Sequence, residues 1–299
     1  MKSPYVFLKN NNDYTTKDFH TAMLGAVTGD VAGSIYEHHN IKYCLKQDEL
    51  INERSRFTDD TVMTCAIAEG ISNGLKQLPY EWLTSAEHET VICNEIIKSM
   101  VYYGNKYPYA GYGGRFTRWL AANGHADSNS FGNGSAMRAS YAGWIARSLL
   151  EAERLAELSA KVSHGHPEGI KGAMAVAGSI YLLLETQNKE EVRKYVGKMY
   201  DINFSLDDIR ESYRFDVTCQ GSVPQAIVAF LEGTDFADVI SKAISIGGDS
   251  DTIAAIAGSL AEVIYDIPDD LQTAVVAKLN DNLIDCLARS VEFMNDYKC

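Results

Sequence analysis

Two short acidic segments stand far apart in this chain. The first is Thr58-Asp59-Asp60-Thr61 and the second is Gly247-Gly248-Asp249-Ser250-Asp251-Thr252. An apolar run with helical spacing follows each one, so both are expected at helix N-termini. If folding brings the two helix starts together, four carboxylates and two hydroxyls meet. Carboxylates that lie this close repel one another unless cations lie among them. The sequence therefore predicts a pair of divalent metal ions.

The residue types in these segments narrow the choice of metal. Both segments offer only oxygen ligands and contain neither histidine nor cysteine. Oxygen ligands suit Mg²⁺, Mn²⁺ or Ca²⁺ better than Zn²⁺. Each segment taken alone is explained by ordinary capping of a helix N-terminus. The presence of both segments in one chain is what favours a metal centre.

A third acidic candidate lies upstream, where Asp30 and Glu37 are seven residues apart. This spacing is nearly two helical turns, so it predicts that both side chains share one helix face. Glycines recur every fourth residue at 25, 29 and 33, a pattern that permits close contact with another helix. Glu37 is a candidate metal ligand or water-activating base, and an ordinary surface glutamate is the alternative.

Four further segments carry polar or aromatic groups with more than one interpretation. Ser163 to Glu168 contains two histidines and a glutamate, which indicates a zinc site, a phosphate contact or simple loop packing. Arg138 follows the turn Gly132-Asn133-Gly134-Ser135 and could contact an anion or cap a local carbonyl. The tyrosine- and glycine-rich loop from Tyr102 to Arg115 could stack a nucleobase or pack on itself. Asp201 to Pro224 either borders a leaving-group pocket or simply connects helices.

Composition sets the fold class and limits the function. The chain has 299 residues, 46% of them hydrophobic, and a net charge of −13, which argues against an extended nucleic-acid surface. Helical periodicity dominates and alternating strand patterns are nearly absent. We therefore expect a compact all-α single domain over residues 1–299, a bundle of ten or more helices. The two acidic segments would form a dinuclear metal cleft in this bundle. The predicted helices include Leu149 to Val162, Val223 to Leu231, Phe236 to Ile244, Ile253 to Ile264 and Leu271 to Met294.

The expected location is the cytoplasm. The six cysteines show no CxxC spacing and are expected to be reduced thiols. The N-terminus has no apolar stretch long enough for a signal peptide. The run from Gly172 to Leu184 is shorter than the roughly 20 residues that span a bilayer. No membrane association is therefore expected, and the oligomeric state cannot be read from the sequence.

At this point the motifs resemble those of the ADP-ribosylglycohydrolase family, and they follow the family's order across most of the chain. The matching elements are the Gly29-Asp30 helix, Phe57 to Met63, Gly132 to Arg138, Ser163-His164 and Gly247 to Thr252. The resemblance implies an all-α enzyme with two Mg²⁺ ions, for which Mn²⁺ could substitute. It also implies that ADP-ribose and an ADP-ribosylated substrate are the binding partners.

The resemblance assigns roles to particular residues. The implied metal ligands are Thr58, Asp59, Asp60, Asp249, Asp251 and Thr252. The implied substrate-binding residues are Tyr112, Gly113, Gly132, Asn133, Gly134, Ser135, Arg138 and His164. Two metal ions would bind the ribose hydroxyls and position a water below the anomeric carbon, and Glu37, Asp59 or Asp60 would remove the proton of that water.

Two other functions stay open on the sequence. The same carboxylates could serve a different metal-dependent hydrolase that cleaves phosphate esters or pyrophosphate. The fold could also persist in a protein that binds ADP-ribose without turnover, although the complete set of metal motifs argues against this. The acceptor that carries ADP-ribose (arginine, serine, a nucleic-acid end or a metabolite) is not given by the sequence.

Overall fold

The structure is a computed structural model that describes residues 22–126 and 129–298, and within these ranges it is all-α. It contains fourteen α-helices and no β-strand there, apart from two isolated bridges, which confirms the predicted fold class. The single-domain boundary at 1–299 stays a prediction. The helices are α1 (Leu24–Gly33), α2 (Asp59–Leu75), α3 (Ala86–Lys106), α4 (Gly114–Ala121), α5 (Ser140–Ile145), α6 (Leu149–Lys161), α7 (Pro167–Thr186), α8 (Lys189–Val196), α9 (Leu206–Arg210), α10 (Cys219–Glu232), α11 (Phe236–Ser245), α12 (Ser250–Ile264), α13 (Asp269–Val276) and α14 (Asp281–Lys298).

The two helices at the centre of the fold, α1 and α12, pack with their backbones in close approach. Every residue of α1 is buried. A methyl group on Gly25 would lie 2.3 Å from the carbonyl oxygen of Gly258, and one on Gly29 would lie 2.0 Å from that of Ala254. At Gly33 the obstacle would be the Cα of Asp251, at 2.4 Å. The four-residue glycine spacing thus forms the close helix contact that the sequence predicts, and it brings the C-terminal end of α1 to the start of α12.

Both acidic segments begin helices, as predicted. Thr58 is the N-cap of α2, and its hydroxyl accepts a hydrogen bond from the Asp60 backbone. Asp249 precedes the first residue of α12. Gly247 and Gly248 both adopt positive φ, at 67° and 79°, so the turn into α12 requires backbone angles that other residues rarely adopt. Helix α2 also packs against α3 and α14, which fixes its axis relative to the core.

Three local expectations are wrong. Asp30 and Glu37 do not share a helix face, because α1 ends at Gly33 and the chain turns, with the Tyr36 backbone N–H donating to the Gly33 carbonyl. The segment 271–294 forms two helices rather than one, since the side chain of Asn280 accepts the Leu283 N–H and starts α14 afresh. The tyrosine-rich stretch is a loop only after α3 ends at Lys106.

The predicted absence of membrane spans can be compared with the helices themselves. Within the described residues, no helix combines the length and the apolar character that crossing a bilayer requires. The apolar run that begins at Gly172 is part of α7, which packs against α5, α6, α8, α10 and α12.

Candidate metal centre and substrate cavity

The two acidic segments meet in space. The hydroxyl of Thr252, at the start of α12, donates a hydrogen bond to Asp60 Oδ2 at the start of α2, with an oxygen–oxygen distance of 3.3 Å. The Thr58 hydroxyl lies 3.4 Å from the same carboxylate oxygen. All three side chains are buried. The close packing of α1 on α12 and the hydrogen bonds between α1 and the start of α2 together produce this convergence.

Among the described residues, the carboxylates form two neighbouring groups that could each hold a cation. Asp30, Asp60 and Asp251 make up one group, and Glu37, Asp249 and Asp251 make up the other. In each group the candidate ligand atoms lie within 4.8 Å of one another. Asp251 belongs to both groups, so one carboxylate lies between the two positions. Carboxylate groups of this kind could hold divalent cations.

The residues present fit a hard divalent cation. Asp60 Oδ1 is buried and has no hydrogen-bond partner, which is costly for a carboxylate oxygen unless a cation satisfies it. The donors are carboxylates and threonine hydroxyls, the oxygen ligands that Mg²⁺ and Mn²⁺ prefer. Neither group contains a histidine. Instead, the His166 side chain accepts the Glu168 N–H and caps α7, which removes the support for a zinc site in that segment.

Electrostatics also favour cation binding at this point. Burial, followed by repulsion from Asp30 and Asp59, raises the pKa of Asp60 well above its ordinary value. Burial and repulsion from Asp60 do the same to the pKa of Asp251. The pKa of Glu37 is raised by burial and by Asp249. A divalent cation would stabilise the charged form of these groups, so cation binding and loss of protons from the cluster are linked.

Asp59 lies in the same cavity but outside both carboxylate groups. Its backbone N–H donates to the carbonyl of Ala110 at 2.9 Å, which holds the α2 start against the loop after α3. A methyl group on Gly111, where φ is +118°, would lie 3.1 Å from Asp59 Oδ1. Burial and the nearby Asp30 raise the pKa of Asp59 to about 7. Asp59 is thus a carboxylate at the cavity wall that can exchange a proton near neutral pH.

A cavity of about 450 Å³ opens above the carboxylates. All but two of the residues to which the family resemblance gives a role line it. Ser135 is fully buried and donates to the Gly169 carbonyl at 2.7 Å, and Tyr112 packs on Phe116 with ring centroids 5.5 Å apart. The selected residues that line it are Glu37, Thr58, Asp59, Asp60, Gly113, Gly132, Asn133, Gly134, Arg138, His164, Asp249, Asp251 and Thr252.

The glycine-rich turn is connected directly to the carboxylates. Asn133 donates from its side-chain amide to Asp249 Oδ2 at 2.6 Å and to the Ser222 hydroxyl at 2.9 Å. Its backbone N–H donates to the carbonyl of Val217 at 2.8 Å. Asn133 therefore fixes the orientation of one candidate ligand and anchors the segment that precedes α10. The family resemblance implied only a substrate-binding role for Asn133.

A buried chain of hydrogen bonds orients His164. Arg138 donates to the Ser163 hydroxyl at 2.7 Å, and that hydroxyl lies 2.8 Å from His164 Nδ1. Because the hydroxyl oxygen already accepts from the guanidinium, its single proton is available to Nδ1, which favours the tautomer that carries its proton on Nε2. Nε2 lies 3.1 Å from the point where a Gly134 Cβ would stand, so the turn leaves room in front of it.

Burial keeps this histidine neutral. Burial, followed by the positive charges of Arg138 and Arg115, lowers the pKa of His164 well below its ordinary value. The same burial lowers the pKa of Arg138 to about 9, so the guanidinium stays charged at neutral pH. His164 is therefore placed to present a neutral N–H donor to an anionic group in the cavity.

Some lining residues were not selected from the sequence. Arg56, Phe116, Met137 and Val217 all line the cavity. Phe116 could have been predicted from the sequence as a lining residue, because it follows the glycine-rich stretch one helical turn after Tyr112. Val217 and the neighbouring Phe215 are half-exposed apolar residues at 49% and 50%, and both lie in the segment Asp201 to Pro224 that was expected to border a leaving-group pocket or simply to connect helices.

Comparison with known proteins identifies the family. The sequence model of the ADP-ribosylglycohydrolase family matches residues 11–296. The chain belongs to the ADP-ribosylglycohydrolase family. A chain described as an ADP-ribosylglycohydrolase-related protein complex matches the structure with a TM-score of 0.57 and 21% identity, covering 86% of this chain and 96% of the other. At that identity the structural likeness shows the fold alone.

The chain also resembles several known proteins at low sequence identity. Human ADP-ribosylhydrolase ARH3 is 25% identical over 322 residues, an alignment that covers 83% of this chain and 85% of the relative. ADP-ribosylarginine hydrolase Tri1 of Pseudomonas putida strain GB-1 is 24% identical over 276 residues, covering 82% of this chain and 70% of Tri1. An uncharacterized protein of Archaeoglobus fulgidus is 31% identical over 164 residues, and there the alignment spans 49% of this chain and 52% of the relative.

Proposed function

We propose that this protein is a Mg²⁺-dependent enzyme that hydrolyses the glycosidic bond between ADP-ribose and an acceptor, releasing ADP-ribose. The observation that carries the proposal is the meeting of Asp60 and Thr252 in a cavity that His164 and the glycine-rich turn also line. The carboxylates are suited to hold cations against a ribose, and the turn is suited to accept a diphosphate.

Each group would have a separate task. Thr58, Asp59, Asp60, Asp249, Asp251 and Thr252 would hold two Mg²⁺ ions, with Mn²⁺ as a substitute. When bound, these ions would supply Lewis-acid contacts to the ribose hydroxyls and to a water. Asn133 holds the Asp249 carboxylate in place. Gly132 and Gly134 leave space beside His164, whose Nε2–H would donate to the diphosphate.

Proton transfer from the attacking water would fall to a carboxylate at the cavity wall. Asp59 is one candidate, because its carboxylate lines the cavity and belongs to neither carboxylate group. Glu37 is the other, since it is half-buried and close to Asp249 and Asp251. Positioning of the ribose and the water between these groups would contribute much of the rate.

A release assay on a small panel of α-linked ADP-ribosyl conjugates tests the proposal. The panel should contain arginine-, serine- and phosphate-linked ADP-ribose, each incubated with Mg²⁺ and with a chelator. Mg²⁺-dependent release of intact ADP-ribose from at least one conjugate is the expected result. AMP or free phosphate as the product would indicate a phosphoester or pyrophosphate hydrolase instead. Binding of ADP-ribose in Mg²⁺ without any release would indicate a non-catalytic binding protein.

Cellular location belongs to the same proposal. We expect a cytoplasmic protein, because the five cysteines in the described part of the chain are all free thiols. Cell fractionation of the native protein checks this expectation.

A further inference from the structure

Asp30 accepts an unusual number of hydrogen bonds for a buried carboxylate. It lies in α1 and is fully buried. Its Oδ2 accepts the backbone N–H groups of Thr58 and Thr61, at 2.9 and 3.0 Å, and the Thr61 hydroxyl at 2.5 Å. Its Oδ1 accepts the hydroxyl of Thr58 at 2.6 Å. One side chain of α1 therefore holds the first turn of α2 through four hydrogen bonds.

These contacts determine where the proton of the Thr58 hydroxyl lies. The Thr58 oxygen is 2.6 Å from Asp30 Oδ1 but 3.4 Å from Asp60 Oδ2, so the shorter contact takes the single proton. The Thr58 oxygen also accepts the Asp60 backbone N–H at 3.4 Å, so one of its lone pairs stays free. Asp60 Oδ1 is also buried without a hydrogen-bond partner, so Thr58 and Asp60 each keep an oxygen lone pair for a cation.

Asp30 is poorly suited to bind a cation itself, although it lies within reach of Asp60 and Asp251. Three donors already surround its Oδ2, which leaves that oxygen no free lone pair. Its Oδ1 accepts the short hydrogen bond from Thr58 and keeps only one lone pair free. The carboxylate is better placed to orient the groups beside it than to ligate.

We propose that Asp30 is a positioning residue for the metal centre: it takes the Thr58 hydroxyl proton and fixes the α2 start, so that Thr58 and Asp60 present oxygen lone pairs to one divalent cation. Residues that hydrogen-bond to metal ligands typically change the metal affinity by about 10- to 100-fold when they are replaced. The inference rests on the metal centre of the proposed function, but it is independent of which bond the enzyme cleaves.

The substitution Asp30→Asn tests the inference with little change in shape. The amide oxygen is expected to replace Oδ2, where three donors converge, so the amide nitrogen replaces Oδ1 and becomes a donor to Thr58. The Thr58 proton must then turn toward the cation position. We expect the Kd for Mn²⁺, measured by calorimetry and by electron paramagnetic resonance in the absence of substrate, to rise by about 10- to 100-fold.

Two further variants separate positioning from general damage. Thr61→Val also removes a hydrogen bond to Asp30 but leaves the Thr58–Asp30 contact in place, and Thr61 is not a predicted ligand. Its loss of Mn²⁺ affinity should therefore be much smaller than that of Asp30→Asn. In a Thr58→Val background the hydroxyl is gone, so Asp30→Asn should then change the Kd far less than it does in the parent protein. An unchanged Kd in Asp30→Asn, or an equal loss in both backgrounds, would overturn the proposal.

A measurement on the unaltered protein keeps the proposal testable if Asp30→Asn does not fold. In a crystal structure with Mn²⁺, the Thr58 hydroxyl should coordinate an ion while both Asp30 oxygens remain outside its coordination sphere. An Asp30 oxygen bound directly to the ion would refute the positioning role. If the panel of conjugates shows no release while these Mn²⁺ results hold, the hydrolase proposal fails and the role of Asp30 stands.

Discussion

At the scale of single residues, the site depends on side chains whose surroundings differ from their ordinary ones. Asp60 and Asp251 are buried among other carboxylates, and Asp60 keeps one oxygen unpartnered. His164 is buried beside an arginine and faces the cavity as a neutral ring. A small change in charge or in the number of donors at these positions should therefore have a measurable effect.

Removing one carboxylate charge from the metal centre should nearly abolish turnover. Asp60→Asn and Asp251→Asn, made singly, keep the shape of the side chain but remove the charge that holds a cation. We expect each to lower kcat by more than about 100-fold, because replacing even a residue that only hydrogen-bonds to a metal ligand can lower activity by up to about that factor. Steady-state release of ADP-ribose at saturating Mg²⁺ measures this. Asp48→Asn, at an exposed carboxylate outside the cavity lining, is the matched control and should keep the parent rate.

Replacing the neutral donor should weaken nucleotide binding. His164→Phe removes the Nε2–H, and a hydrogen bond to a charged group is worth about 1.5–3 kcal/mol. The Kd for ADP-ribose should rise by roughly 10- to 100-fold in titration calorimetry, whereas His164→Gln, which keeps an N–H donor, should lose less. Because the pKa of His164 is held well below its ordinary value, the affinity lost in His164→Phe should be the same at pH 6 and pH 8. A loss that grows toward pH 6 would show that the ring becomes charged.

At the scale of helices, the packing of α1 on α12 decides whether the acidic segments meet. Gly29→Ala places a methyl group 2.0 Å from the Ala254 carbonyl oxygen, so the two backbones must move apart. Such overpacking costs typically about 1–3 kcal/mol of unfolding free energy. The separation should also weaken Mg²⁺ binding. Chemical denaturation and metal titration of the same variant measure the two effects.

The control for this packing prediction is Gly114→Ala, at the start of α4. A methyl group there meets no atom within 4 Å, so it should leave the free energy of unfolding unchanged or raise it slightly. If Gly29→Ala is as stable as Gly114→Ala and binds Mg²⁺ equally well, close approach of α1 and α12 does not position the metal ligands.

At the scale of the whole molecule, the buried carboxylates link stability to pH and to metal. The pKa of Asp59 is raised to about 7 by burial and by Asp30, and the pKa values of Asp60 and Asp251 are raised well above their ordinary value. In the unfolded chain an aspartate has a pKa of about 3.9. Between these values the folded metal-free protein holds more protons than the unfolded chain, so its stability falls as pH rises.

Chelator-treated protein should therefore melt at a lower temperature at pH 8 than at pH 5.5, by at least about 5 °C. Adding Mg²⁺ should restore the Tm, and the restoration should be larger at pH 8, because protons compete with the cation at pH 5.5. Differential scanning calorimetry with and without chelator measures both effects. A metal-free Tm that stays level or rises from pH 5.5 to pH 8 would contradict the assignment of raised carboxylate pKa values.

The sequence by itself determined the fold class, the positions of the two acidic helix starts and the close glycine contact. These features depend on local periodicity, on capping chemistry and on the small size of glycine, all of which are visible in neighbouring residues. Local patterns failed where a nearby turn overrode them, as at Gly33, where α1 ends before Glu37. They also failed at Asn280, which starts a new helix inside a continuous apolar pattern.

Only the tertiary structure decided which remote groups touch. Asp60 and Thr252 are 192 residues apart along the chain, and the contact between them exists because α1 packs on α12 while Asp30 holds the start of α2. The hydrogen bond from Asn133 to Asp249 and the Arg138–Ser163–His164 chain likewise join distant segments. A linear pattern carries no information about such pairings, because the directions of these side chains are fixed by the packing of several helices at once.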